Sequence, residues 1–180
     1  ASEATFEALD IADELGVTIC FDINYRKNLW KYEGAQPRET LSRMLSRCDM
    51  MFGDAIEFDW LSQHPQPPFT AIDSNFEMQM KEYGEWFDEL HANYPRLKHW
   101  MMGMRNIVSS NHHTLTALLW TEGKLLQAPI IDIPDVIDPV GVGDAFMVGW
   151  LHAISLFPDV KQKQLNYSLA AAALKNTIPG

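Results

Sequence analysis

The chain has 180 residues, 47% of them apolar and 21% charged, enough to bury one ordinary globular core. A formal net charge of -10 argues against an electrostatic grip on nucleic acid or an anionic membrane. No apolar run approaches a membrane span and no signal peptide opens the chain. Cys20 and Cys48 lie far apart without CxxC spacing, as expected of reduced thiols in a cytoplasmic protein.

Residues 2–15 carry apolar side chains at helical spacing, and Gly16 stops them, which predicts a first helix. The β-branched and aromatic run 17–21 predicts a buried strand, followed by a polar loop. A helix is expected over 37–47, with Pro37 in its first turn. A brief strand at 50–52 and a helical turn or two over 55–62 come next. The stretch His64-Pro65-Gln66-Pro67-Pro68 reads as loop, because its prolines suit neither helix nor ladder. Residues 74–91 are amphipathic, with Phe76, Met80, Tyr83, Phe87 and Leu90 on one side. Strands are expected at 98–102, 114–120 and 124–128, the last two as a hairpin about Glu122-Gly123. A glycine-rich turn then leads into helices over 144–156 and 158–175. Strands alternating with helices, without internal repeat, predict an α/β sheet layered between helices. The chain opens on Ala1 within a helical pattern and closes on Gly180 as a turn begins, so both ends are expected to be cut.

The chemistry concentrates in Ile137-Asp138-Pro139-Val140-Gly141-Val142-Gly143-Asp144-Ala145-Phe146. Gly141 and Gly143 allow a sharp turn that brings backbone N–H groups close to a ligand. The helix that follows aims its free N–H groups and partial positive charge at the same point, a combination that holds an anion, phosphate above all. Asp144 is the odd feature there: it either caps the helix or does chemistry. A dinucleotide site is disfavoured, because Phe146 stands where that fingerprint needs its third glycine.

The string from Asp138 to Asp144 resembles the Asp-Thr-x-Gly-Ala-Gly-Asp signature of the ribokinase (phosphofructokinase-B) family of carbohydrate kinases. Ala145, Phe146 and Gly149 continue the match, while Pro139 and Val142 replace Thr and Ala. The resemblance implies a ribokinase-like three-layer α/β/α sheet using ATP and Mg2+. The backbone of Gly141, Val142 and Gly143 would form the anion hole, and Asp144 would take the proton of the sugar hydroxyl. Asp138 would hold the turn on the nucleotide side. Phosphoryl transfer has a loose transition state, so positioning and charge stabilisation count for more than a strong base.

Asp22-Ile23-Asn24-Tyr25-Arg26, followed by Leu29-Trp30, lies after a predicted strand. It is similar to the Asp-x-Asn-x-Arg…Trp segment of these kinases, in the version typical of 2-keto-3-deoxygluconate kinases. Asn24 and Arg26 would then bind substrate, a guanidinium suiting the carboxylate of an acid sugar. Gly53-Asp54-Ala55-Ile56-Glu57 sits where the family has Gly-Asn-x-x-Glu, which implies that Glu57 handles magnesium through water. Residues 170–180 resemble the adenine-side helix and loop, so Lys175, Asn176 and also Arg105 are expected on the nucleotide side. His112-His113 reads as a solvated turn in preference to a metal site. Trp60, Trp86 and Trp100 read as core or groove aromatics.

Members of the family run to about 300 residues or more, so residues 1–180 are expected to be the nucleotide-binding and catalytic half of a ribokinase-like domain. The amino-terminal half and lid would be absent. The expected substrate is 2-keto-3-deoxygluconate, with fructose or another neutral sugar as the alternative. A different alternative is an inactive nucleotide- or phosphate-binding fragment. Exposed sheet edges lead us to expect a homo-oligomer.

Overall fold

Two long strands form the spine of the molecule, and their pleat divides its core in two. In the computed structural model, which describes residues 2–54, 65–67 and 76–179, these are β3 (His99–Ser109) and β4 (His112–Thr121). Trp100, Met102 and Met104 of β3 join Leu118 and Trp120 of β4 in one apolar cluster. Met101, Leu115, Ala117 and Leu119 point the other way into a second. Alternate side chains of a strand face opposite sides, so a strand covered on both faces reads as one nearly continuous apolar run.

β1 (Cys20–Asp22) and β2 (Met50–Asp54) complete a parallel trio with β3, in the order β1-β2-β3. β4 is antiparallel to β3, and two short strands pair with its far edge. β5 (Lys124–Gln127) covers the end of β4, and β6 (Ile131–Ile133) covers its beginning, both antiparallel. Glu122 and Gly123 join β4 to β5 with φ of 53° and 70°, the paired positive values of a tight hairpin turn.

The first cluster is sealed by α1 (Ser2–Glu14), α2 (Pro37–Leu45) and α3 (Phe76–Asn93), through Leu9, Leu45 and Phe87 among others. The second is sealed by α4 (Val142–Leu156) and α5 (Lys161–Asn176), through Phe146, Trp150 and Leu169. The result is helix, sheet, helix: three layers, as expected. Trp86 and Trp100 are core residues, while Trp60 and the helix expected over 55–62 lie outside the described residues. Among the described residues no helix is long and apolar enough to cross a membrane.

α4 and α5 pack closely. A Cβ placed on Gly149 would lie 2.9 Å from the Ala171 Cβ and 3.1 Å from the Ser168 Cα, so only glycine admits this approach. The Ser168 hydroxyl donates to the Phe146 carbonyl across the same crossing.

The amino ends of the parallel strands are stapled by charge. Arg47 donates to Asp13 and Asp10, and Arg96 bridges Asp13 and Asp49. Asp49 also accepts the Ile19 N–H at 3.0 Å and the Lys98 ammonium at 3.2 Å. Burial alone would raise the Asp49 carboxyl, but these donors together hold it below the usual carboxylate range. Burial pushes the Cys20 thiol up to about 11 and the Cys48 thiol up to about 12, so both are poor nucleophiles at neutral pH.

Several elements differ from expectation. β1 begins at Cys20, because the Val17 N–H is still closing α1 onto Ala12 and the Val17 side chain is 52% exposed. β3 runs on to Ser109 and forms a long hairpin with β4, so His112 and His113 open a strand and do not form a turn. β6 was hidden by its length of three residues. α5 starts at Lys161, since Pro158 and Asp159 form a turn of their own.

Candidate active site

β1 ends at Asp22, and the chain turns at once. The Asn24 N–H donates to the Asp22 carboxylate at 3.1 Å, and Asn24 takes a φ of 41°, a left-handed value that asparagine tolerates better than most side chains. Ile23 is tied to β2 through its N–H on the Phe52 carbonyl. The loop therefore leaves the sheet at a fixed angle, with Asn24 and Arg26 exposed. The Arg26 guanidinium donates to the Tyr25 carbonyl at 3.1 Å.

The second component is the turn before α4. Gly141 is the N-cap residue, with φ 79° and ψ 7°, a region that costs an ordinary L-residue roughly 1–2 kcal/mol. No side chain caps the helix, and the first helical bond runs from the Ala145 N–H to the Gly141 carbonyl at 2.9 Å. The helix starts at Val142, so Asp144 stands within the first turn and is not the cap. Its carboxylate carries no hydrogen bond among the described residues, and its Oδ2 lies 3.9 Å from the point where a Gly141 Cβ would sit. A Cβ on Gly143 would meet nothing within 4 Å. Free N–H groups, a helix dipole and open space therefore converge on one spot, with a carboxylate beside it.

The turn is braced from behind. Asp138 Oδ1 accepts the Val140 N–H at 2.8 Å, and the Asn176 carbonyl accepts the N–H groups of Ile137 and Asp138. Lys175 Nζ lies 3.6 Å from Asp138 Oδ2 and 3.4 Å from the Asp138 carbonyl.

Both components open on one cleft of about 780 Å³ at the carboxyl ends of the parallel strands, the usual ligand position in open α/β sheets. Among the described residues Asp22, Asn24, Arg26, Arg105 and residues 141–144 line it, over an apolar floor that includes Phe52, Phe146 and Leu169. Arg105 reaches the cleft from within β3. Asn106 lines the cleft beside it and donates to the Thr114 hydroxyl at 3.3 Å; no sequence signal marks it, because the strand expected over 98–102 stops short of it.

Three expected nucleotide-side residues do not line the cleft. Asp138 and Lys175 are paired with each other. Asn176 is fully buried, its amide donating to the Ala172 carbonyl within α5. Glu57 lies outside the described residues. His112 pairs with Asp132 across β4 and β6 at 2.6 Å. Burial, then the charge of Arg105, lowers the pKa of the neighbouring His113. No group of three His, Cys, Asp or Glu able to hold a metal ion occurs among the described residues.

Comparison with known proteins bears on this arrangement. The model of the pfkB family carbohydrate kinases matches residues 1–175. A 2-dehydro-3-deoxygalactonokinase from Haloferax volcanii is 27% identical over 178 residues, covering 99% of this chain and 47% of its own. A 5-dehydro-2-deoxygluconokinase from Geobacillus thermodenitrificans is 26% identical over 172 residues, covering 96% of this chain and 44% of its own. Among solved structures, the 2-dehydro-3-deoxygluconokinase of Thermotoga maritima matches with a TM-score of 0.81 at 24% identity, over 99% of this chain and 50% of its own. A PfkB family carbohydrate kinase from Listeria grayi matches over the same shares with a TM-score of 0.80 at 24% identity. The chain spans about half the length of the curated relatives it matches.

Proposed function

This chain belongs to the pfkB family of carbohydrate kinases, and from that premise we propose that the protein carrying it transfers the terminal phosphoryl group of ATP to a hydroxyl of a 2-keto-3-deoxy sugar acid. The observation that carries this reading is the cleft that gathers Arg26, Arg105 and the turn at residues 141–144. Two guanidinium groups supply local positive charge in a chain whose net charge is -10. The names of the related kinases support an acid sugar. Residues 1–180 would supply the catalytic turn and the nucleotide side of a larger ribokinase-like domain.

In this reading Asn24 and Arg26 hold the sugar acid, with the guanidinium forked onto its carboxylate. The free N–H groups of residues 141–143 fit the transferring phosphoryl group, because a positive φ at Gly141 and the open space over Gly143 let an anion approach the backbone. Asp144 accepts the proton of the sugar hydroxyl as that oxygen bonds to the terminal phosphorus. The bond from phosphorus to the bridging oxygen breaks, and ADP leaves with those electrons. Arg105 faces the nucleotide phosphates. Magnesium would be carried by the nucleotide phosphates and water, and Glu57, which lies outside the described residues, is the residue expected to handle it through water. When bound, that ion neutralises phosphate charge.

A coupled assay of ADP release from the intact protein, run with 2-keto-3-deoxygluconate, 2-keto-3-deoxygalactonate and fructose, tests the reading. We expect turnover with the acid sugars at least about tenfold above fructose in kcat/KM, the usual order for one charge-assisted contact. Faster turnover of fructose would assign the protein to neutral sugars, and no ATP-dependent turnover at all would refute the kinase reading.

A further inference from the structure

The side chain of Lys175 is 19% exposed and that of its partner Asp138 25%, and the pair sits directly behind the turn that carries Asp144. The ammonium reaches three oxygens: Asp138 Oδ2 at 3.6 Å, the Asp138 carbonyl at 3.4 Å and the Ile178 carbonyl at 3.4 Å. Lys175 is in the last turn of α5, where a cation is favoured by the helix dipole. Its Cε lies 3.6 Å from where a Gly141 Cβ would be, so the aliphatic stem packs under the one residue whose positive φ makes the turn. Asp138 in turn holds the Val140 N–H at 2.8 Å, immediately before Gly141. A continuous set of contacts thus runs from the end of α5 to the start of α4.

Two consequences follow from charge and geometry. An unpaired Asp138 would place a second carboxylate behind a turn meant to receive an anion, and Lys175 offsets that charge. A rigid brace also keeps the N–H groups of residues 141–143 and the Asp144 carboxylate in one register, which matters because small misplacements in phosphoryl transfer are costly.

We propose that Lys175 is a positioning residue for phosphoryl transfer, acting through Asp138 and Gly141 and not by touching the nucleotide. The proposal rests on the kinase reading above, and its test is built to separate the two. In the intact protein, Lys175→Met keeps the length of the stem and removes the charge, and Lys175→Arg restores it. The brace predicts that Lys175→Met lowers kcat about 10–100-fold, leaves the KM values for ATP and sugar within about threefold, and speeds amide exchange at Val140, whose N–H is held by Asp138. Lys175→Arg should recover most of kcat and the slow exchange. A raised KM for ATP with kcat kept would overturn the proposal in favour of a direct nucleotide contact, as would unchanged kcat and exchange. Melting of each variant, compared with wild type, separates a local effect from global unfolding; exchange accelerated equally throughout the chain would count against a local brace. A wild-type protein inactive on every sugar would sink the kinase reading, and the brace would then stand or fall on the Val140 exchange rate alone.

Discussion

Replacing Gly149 by alanine sets two effects of opposite sign against each other within α4. Alanine is favoured over glycine in a helix interior by roughly 0.8–1 kcal/mol. The new Cβ would, however, lie 2.9 Å from the Ala171 Cβ and 3.1 Å from the Ser168 Cα, and neither is the far end of a flexible side chain. Relief requires α4 and α5 to part by several tenths of an ångström, which also strains the bond from the Ser168 hydroxyl to the Phe146 carbonyl. Overpacking of this kind costs about 1–3 kcal/mol, and two contacts this short place Gly149→Ala towards its upper end, so the net effect is a loss of up to about 2 kcal/mol. Gly84 is the internal control. It lies in α3, where a Cβ would meet nothing within 4 Å, so Gly84→Ala should stabilise by roughly 0.5–1 kcal/mol. Denaturant titration of the two variants beside wild type should move the midpoints in opposite directions with unchanged slope. Because α4 carries Asp144 and α5 carries Lys175, Gly149→Ala should also depress turnover while Gly84→Ala leaves it alone. A Gly149→Ala protein as stable as Gly84→Ala would refute the packing argument, since it would mean that the two helices part without resistance.

Two further predictions concern charge. Arg26→Lys should raise KM for an acid sugar about tenfold or more while changing a neutral sugar little, because an ammonium cannot reproduce a bidentate fork; equal losses on both would make Arg26 a structural residue. His99 is half-buried, shares a 2.9 Å hydrogen bond with the Thr121 hydroxyl, and leans on the Trp150 ring, and burial pulls its pKa from 6.5 down to about 4. Between those values the unfolded chain binds a proton that the fold refuses, so stability is full above about pH 6.5 and falls as the pH drops towards 4. His113, lowered by burial as well, adds to the same slope. Thermal melts across that range should show a shallower fall for His99→Gln than for wild type, and equal slopes would contradict the assignment.

The turn at residues 141–144 was legible because its geometry is local. Two glycines, an Asp and a following apolar helix encode a positive φ, free N–H groups and a carboxylate without reference to the rest of the chain. The layered fold was legible for a similar reason: apolar periodicity distinguishes the helices from the covered strands. What stayed hidden depends on pairing. Arg105 and Asn106 belong to β3 only because β4 returns alongside them, and nothing in that polar stretch announces a strand. Arg26 shares a cleft with residues 141–144 because β1 and β6 run in the same direction and deliver both loops to the same end of the sheet, and no local pattern carries strand pairing or direction. The staple of Asp13, Arg47, Asp49 and Arg96 is likewise assembled from three distant segments. Lys175 and Asn176 are expected on the nucleotide side only through the family resemblance of residues 170–180; in the structure Lys175 pairs with Asp138, the Asn176 amide is buried against the Ala172 carbonyl, and no local sequence pattern announces either contact.

The central claim is that Asp144 takes the proton of the sugar hydroxyl, and Asp144→Asn in the intact protein tests it most directly. Asparagine is close in size and keeps a polar group in the first turn of α4, so melting and ATP binding should stay near wild type, with about 1 kcal/mol or less lost from the helix dipole. Turnover should fall about 100-fold or more, the usual worth of a positioned acid-base group. Turnover near wild type in a folded, ATP-binding Asp144→Asn protein would contradict the account and leave Asp144 as a carboxylate that merely favours the start of its helix.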